Sequence, residues 1–327
     1  MSAIRRILVA IKNPASRAPV LATKAAQLAK ACGAELELFH ALATPVFVDM
    51  LTAQRVSTRA YESAQEKRAL EGLERIAGRL RGHGVRVTTR TAWDFPASEA
   101  IVRRAAAARA DLIVAGRHEG RHALAWLLGL TDWDVLRKSP VPVLLVKSAQ
   151  LYRRPAVLAA IDPTHAYAKP AKLDAEILRV GGALTRSLRG TLHAMHAYLP
   201  NPYMLAAKAD VAGARIAAEL QAADRAARTR FEKALAGSDI PASRRHVVDA
   251  HPVDAIPGTA RRTRSAIVVM GAISRSGIKR LFIGNTAERV LDRLTCDVLV
   301  VKPRRFASRV QRARRGVHYI ASALPVP

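Results

Sequence analysis

Cysteine is nearly absent from this sequence: two among 327 residues, Cys32 and Cys296. Two thiols cannot build the bridged framework of small secreted domains, and they point to a reducing compartment. Neither has a recognisable base partner in sequence, so both are read as structural. Aromatic residues make up 5% of the chain and do not interleave with basic ones in the manner of RNA-binding modules. No apolar run approaches the ~18–20 residues that a membrane span needs. The opening Met1–Ile11 has too short an apolar stretch, and no small-residue cleavage pattern, for a secretory leader. A soluble, cytoplasmic protein without a membrane span is therefore the expectation. Acidic residues are scarce, 26 against 53 basic ones, for a net charge of +27. What is plentiful is apolar sequence. It makes up half of the residues, with a mean hydropathy near zero. That excludes disorder throughout and allows two medium domains, each with its own core.

The positive charge is spread rather than concentrated. Residues 1–150 hold 23 Lys and Arg against 13 Asp and Glu, residues 151–303 hold 24 against 13, and residues 304–327 hold six Arg and no acid. Arg outnumbers Lys 41 to 12 along the whole chain, which marks a compositional bias. The tail around Arg304–Arg315 is accordingly read as a solvated segment. Its association with nucleic acid or an anionic surface is the weaker reading.

The sequence repeats itself. Ile7–Lys12 echoes Val157–Asp162 at an offset of 150, and Asp111–Gly116 echoes Ala266–Gly271 at 155. Gly129 with Gly284, Thr131 with Thr286 and Lys147 with Lys302 keep the second offset. A tandem duplication with an early insertion of about five residues in the second copy explains this. The expected domains are 1–150 and 151–303, followed by the tail 304–327. Each copy alternates strand and helix. In the first, the strands are Ile7–Ile11, Glu35–Ala41, Val85–Thr91, Leu112–Ala115 and Val141–Val146; the helices are Ala18–Ala31, Arg59–Leu80, Ala97–Ala108 and Asp132–Arg137. The second copy repeats the order, with Leu205–Leu235 as its long helix. Continuous apolar strands alternating with helices imply an α/β fold: two tandem, doubly wound, parallel five-stranded sheets. Ligands in such folds sit at the carboxyl ends of the strands.

One segment there carries chemistry: Gly271-Ala-Ile-Ser274-Arg275-Ser-Gly277-Ile-Lys279, followed at Gly284 by Gly-Asn285-Thr286-Ala-Glu288. Gly271 ends a strand where backbone can approach a ligand closely, and Gly277 permits a positive-φ turn. Gly284-Asn285-Thr286 opens a helix whose free N–H groups and dipole favour an anion such as phosphate. Thr286 adds a hydroxyl, and Arg275 and Lys279 add positive charge. Asp162, at the tip of the first strand of the second copy, faces the same crevice and can hydrogen-bond a base or ribose. A plain connection with Asn285 and Glu288 as a capping box is compatible with that reading.

These residues resemble the universal stress proteins, whose nucleotide-binding members carry Gly, two residues, Gly, nine residues, then Gly-Ser/Thr. Gly271, Ser274 and Gly284 have that spacing, and Asp162 matches the family's first-strand aspartate. Thr131–Val143 in copy one, and Gly284–Glu288 with Cys296–Pro303 in copy two, resemble the tandem-domain subgroup over residues 4–303. The resemblance implies two domains with the adenine nucleotide alpha hydrolase-like fold, related by a pseudo-twofold axis. They would pair through the strand-five edges Val141–Val146 and Val298–Val301, with a homo-oligomer as a further expectation. It also implies ATP or a related adenine nucleotide as ligand in the second domain only, with Mg2+ as a companion ion. The chain departs from the pattern at Ser274, where nucleotide binders have glycine, and at Asn285, where they have Ser or Thr. Copy one departs further, with Lys12 in place of the aspartate, Arg117-His118-Glu119 in the turn and Leu130 after Gly129, and is read as having lost its site.

Other candidates are weaker. His118-Glu-Gly-Arg-His122 matches a zinc protease pattern, but Gly120 interrupts it and no third ligand follows. His193 and His196 lie three apart on a strand, face opposite ways and cannot chelate together. Asp162 with His165, and Asp249 with His251, are candidate local pairs. No general base or metal ligand stands out beyond the binding loop, so any ATP hydrolysis is expected to be slow. The functional expectation is a stress-response binding protein. The alternative is a module for a lipid-like or other small ligand or a protein, and the third reading is association through the basic tail.

Overall fold

The structure is a computed structural model describing residues 4–16, 19–44, 46–49, 55–116, 131–164, 172–199, 213–271, 285–303 and 306–322. The chain divides into two compact units, one of residues 1–151 with the returning segment from Ala307, the other Tyr152–Phe306.

The first unit runs β1 (Arg6–Ala10), α1 (Val20–Cys32), β2 (Glu35–Leu42), β3 (Val46–Asp49), α2 (Arg55–Gly82), β4 (Val87–Trp93), α3 (Ala97–Ala107), β5 (Leu112–Gly116), α4 (Thr131–Lys138) and β6 (Val143–Val146). The second runs β7 (Ala156–Ala160), α5 (Leu173–Ser187), β8 (Thr191–Tyr198), α6 (Gly213–Ala234), β9 (Arg245–Asp249), α7 (Pro252–Arg262), β10 (Ser265–Gly271), α8 (Asn285–Arg293) and β11 (Asp297–Val301). Within the first unit the strand order is β4-β2-β1-β5-β6, and within the second β11-β10-β7-β8-β9. Every one of these neighbouring pairs is parallel. These are the doubly wound α/β sheets that the strand and helix alternation requires. Both faces are covered, so Ile7–Val9, Val157–Ala159, Ile267–Val269 and Val298–Val301 are all buried, and the strands read as unbroken apolar runs.

Element ends follow local chemistry. Helix α1 starts at Val20 rather than Ala18 because Pro19, with φ −65°, takes the cap position. Strand β6 starts at Val143, since Ser139 Oγ both donates to the Val141 carbonyl and accepts from its N–H, holding a turn. Helix α2 outruns the expected Arg59–Leu80 by four residues at its start and two at its end. Of the expected Leu205–Leu235 helix, Gly213–Ala234 is helical, and 205–212 lie outside the described residues.

The tail's arginines Arg309, Arg312, Arg314 and Arg315 are exposed, as expected of a solvated segment, but the segment is also docked on its own unit. A last strand, β12 (Tyr319–Ser322), pairs in parallel with β3, placing Tyr319 opposite Val46. Before it, Ser308 Oγ donates to the Lys138 carbonyl at 2.8 Å, and the Arg315 N–H donates to Asp94 Oδ1 at 2.9 Å. The His318 ring stacks on Phe95 with centroids 4.4 Å apart. Composition alone suggests solvation, but Asp94 and Glu99 supply the acid that ties the segment down. Among the described residues no helix is long and apolar enough to cross a membrane.

Candidate functional site

In the second unit the strand order reverses between β7 and β10, which defines a crevice at their carboxyl ends. Ala160 pairs with Met270, so Asp162 and Gly271 emerge from adjacent strands. Asp162 is held from two sides: its N–H donates to Asp174 Oδ1 at 3.0 Å, and Thr164 Oγ1 donates to its Oδ1 at 2.8 Å. Its side chain keeps 22% exposure, with His196 Nδ1 4.0 Å from Oδ1. A carboxylate oriented this way can accept from a ligand hydroxyl or amine.

Gly271 has a close neighbour within the protein. A Cβ there would stand 2.5 Å from Leu173 Cδ2 and 3.4 Å from Ile177 Cδ1. Packing of the first turn of α5 onto the end of β10 therefore favours glycine, since a Cβ would have to push the Leu173 side chain aside, whatever occupies the crevice. Strands β10 and β11 are parallel, so α8 between them must run back and begin on the carboxyl side. That puts the first-turn N–H groups of Asn285 and Thr286 at the same end as Asp162. Ser274, Arg275, Gly277 and Gly284 lie outside the described residues, as do the Asn285 side chain, the 118–122 histidine pattern, His165 and the copy-one turn from Arg117 to Leu130. Lys302, which the sequence marks only as a repeat landmark, follows β11 directly. Burial pushes its pKa down to about 8, and its Nζ lies 5.0 Å from the Phe306 ring centroid.

The model of the Universal stress protein family matches twice, at residues 3–147 and 157–302. The chain belongs to the universal stress protein family. Universal stress protein E of Escherichia coli K12 is 29% identical over 234 residues, spanning 70% of this chain and 72% of the relative. A Universal stress protein E homolog of Haemophilus influenzae is 26% identical over 217 residues, 64% of this chain and 68% of the relative. Among solved structures, a functionally unknown protein from Pseudomonas aeruginosa PAO1 is similar at TM-score 0.67 and 27% identity, covering 92% of this chain and 94% of that one.

The two universal stress protein domains share a feature that the fixed offsets hid. His40 Nδ1 donates to the Ile11 carbonyl at 2.8 Å, and His196 Nδ1 does the same to Ile161 at 3.3 Å. Ile11 and Ile161 also donate their N–H groups to Phe39 and Met195. The carbonyls are 150 apart in sequence and the histidines 156, so six inserted residues separate the two landmarks. Allowing the offset to change between Ile161 and His196 finds the pair. Burial holds His40 below its ordinary pKa of 6.5. Each histidine braces the strand end that leads to position 12 or 162, where the first domain has Lys12 and the second Asp162.

The remaining sequence candidates have other partners. His193 Nδ1 stands 3.0 Å from His246 Nε2, with the rings stacked, so His193 and His196 have separate environments. His251 does not pair with Asp249; its Nδ1 accepts from the Val253 N–H at 3.2 Å and caps α7. Cys32 and Cys296, both half-buried, form no disulfide among the described residues.

Proposed function

We propose that the second domain binds ATP or a related adenine nucleotide, with Asp162 toward the base or ribose and Gly271–Ser274, Arg275, Gly277 and Gly284–Thr286 around the phosphates. The observation that carries this reading is the partly exposed Asp162 carboxylate, oriented by Asp174 and Thr164 beside the strand end of Gly271. It lies at the same end of the sheet as the α8 N-terminus, where N–H groups and dipole favour phosphate. Lys12 in the equivalent place gives the first domain a cation where the second has an acceptor, so one site per chain is proposed. The role proposed is binding in the response to stress in a cytoplasmic setting, not turnover. Among the described residues no group of three or more His, Cys, Asp or Glu stands ready for a metal ion, and Mg2+ would enter with the phosphates.

Mass spectrometry of small molecules released from the purified full-length protein tests the reading. An adenine nucleotide in the released fraction supports it. A lipid-like mass in its place favours the alternative of a non-nucleotide module and counts against it.

A further inference from the structure

Parallel strands all begin on one edge, and in the second unit that edge is lined with arginine. The four adjacent strands β10-β7-β8-β9 are entered through Arg264, Arg153-Arg154, Arg189 and Arg244 respectively. Helices run back to the same edge, so Arg186 at the end of α5 and Arg261 and Arg262 at the end of α7 join the row. Arg153, Arg154, Arg186, Arg189, Arg261, Arg262 and Arg264 are exposed, and none forms an ion pair among the described residues. Arg245 is neutralised by Glu232, and Asp297 is buried beneath the Tyr152 hydroxyl at 2.5 Å. Asp239 is the exposed acid in these connections.

Three of these arginines occupy left-handed backbone: Arg154 at φ 46°, Arg189 at 51° and Arg264 at 50°. Glycine suits that region best. The first domain uses it: Gly33, at φ 65°, ends α1 with the Ala34 N–H bonded back to the Ala29 carbonyl. The matching turn of the second domain bonds the Gly190 N–H to the Thr185 carbonyl but places Arg189 in the left-handed position. Helix dipoles favour basic residues at C-termini, yet they do not require arginine where glycine fits better. The first domain's Arg109 shares the conformation, but the strand-entry edge there also carries acids: Asp111 accepts from the Arg5 and Arg6 N–H groups, and Glu35 pairs with Arg86. Behind the row, the His193 and His246 rings are held below their ordinary pKa chiefly by burial, and further by Arg244 and Arg262 respectively.

We propose that this arginine edge docks the phosphodiester backbone of a duplex nucleic acid. Guanidinium forks match phosphate oxygens bidentately. Four strands ~4.8 Å apart spread the row over about 15 Å, the length over which one duplex strand presents about four phosphates. No exposed aromatic side chain stands among the described entry residues to stack unpaired bases, since Tyr152 beside Arg153 is buried against Asp297. Among the described residues of this unit the exposed large apolar side chain is Leu199, which follows the far end of β8, and Leu151 just before Arg153 is a single exposed leucine at the edge, too little apolar surface for a membrane anchor. The tail is a poorer docking element, because Arg315 is engaged by Glu99.

The test is fluorescence anisotropy of the full chain with a labelled DNA duplex and an RNA duplex of the same sequence, from about 50 to 200 mM salt. Binding is expected with a log–log salt slope of about −3 to −4. The triple variant Arg154→Gly/Arg189→Gly/Arg264→Gly is expected to bind at least about tenfold more weakly at low salt, with a slope shallower by about 3. Its melting temperature should stay near that of the parent, since glycine suits all three turns. Lys67→Gln/Arg68→Gln/Arg75→Gln removes the same charge from the exposed face of α2 and is expected to keep most of the affinity. Binding of neither duplex at low salt, equal losses in both triple variants, or capture by phosphatidylserine vesicles without duplex binding would each overturn the proposal.

Discussion

His40 donates from Nδ1 to the carbonyl oxygen of Ile11 at 2.8 Å, a bond that His196 and Ile161 repeat in the second domain. Burial lowers the pKa of His40, and burial also comes first in lowering His193 and His246. A histidine with a depressed folded pKa binds fewer protons folded than unfolded, so its contribution is present above pH ~6.5 and is lost as pH falls through the folded value. The melting temperature should therefore drop as pH falls from about 7.5 toward 5, and His40→Asn should flatten part of the drop. A pH-independent melt across that window contradicts this assignment.

Arg103 grips Asp94 with two hydrogen bonds of 2.7 Å, from Nε and Nη2, where both side chains are nearly buried. The returning tail docks on the same carboxylate through the Arg315 N–H. Removing Asp94 leaves the buried Arg103 with only the longer 3.3 Å contact to Glu99, so Asp94→Ala should cost about 3 kcal/mol in chemical denaturation. Deleting residues 307–327 should lower stability less and speed amide exchange at Val46–Asp49, whose partner strand is lost. Unchanged exchange there would show that the β3–β12 pairing does not hold in solution.

Gly271 and Leu173 touch closely enough that a methyl group cannot be added without displacement. Gly271→Ala is expected to destabilise by about 1–3 kcal/mol through overpacking. Combining it with Leu173→Ala should recover part of that loss relative to the sum of the single variants, the coupling of two groups in contact. Strict additivity in a denaturation cycle would separate the two residues.

The doubly wound fold was legible because buried parallel strands leave continuous apolar runs, and because the duplication showed the same order twice. The β3–β12 ribbon was not, since two four-residue strands 273 positions apart carry no periodicity of their own. Asp162 and the α8 N-terminus could be read from residue type and spacing. His196 could not be read as a strand brace, because its partner is a backbone carbonyl that leaves no mark in sequence. The arginine edge was hidden for a different reason. An even count of charge along the chain says nothing of which edge of a sheet the residues occupy, and only the strand order gathers Arg154, Arg189, Arg244 and Arg264 into one row.

One nucleotide site per chain, centred on Asp162, is the central claim. Isothermal titration of the full-length protein with ATP, beside Asp162→Asn and Lys12→Gln variants, tests it most directly. The expected result is a stoichiometry near one, affinity lowered at least about tenfold by Asp162→Asn through loss of a charged hydrogen bond, and no change in Lys12→Gln. Absence of heat from the parent protein, or Asp162→Asn binding as tightly as the parent, would contradict it.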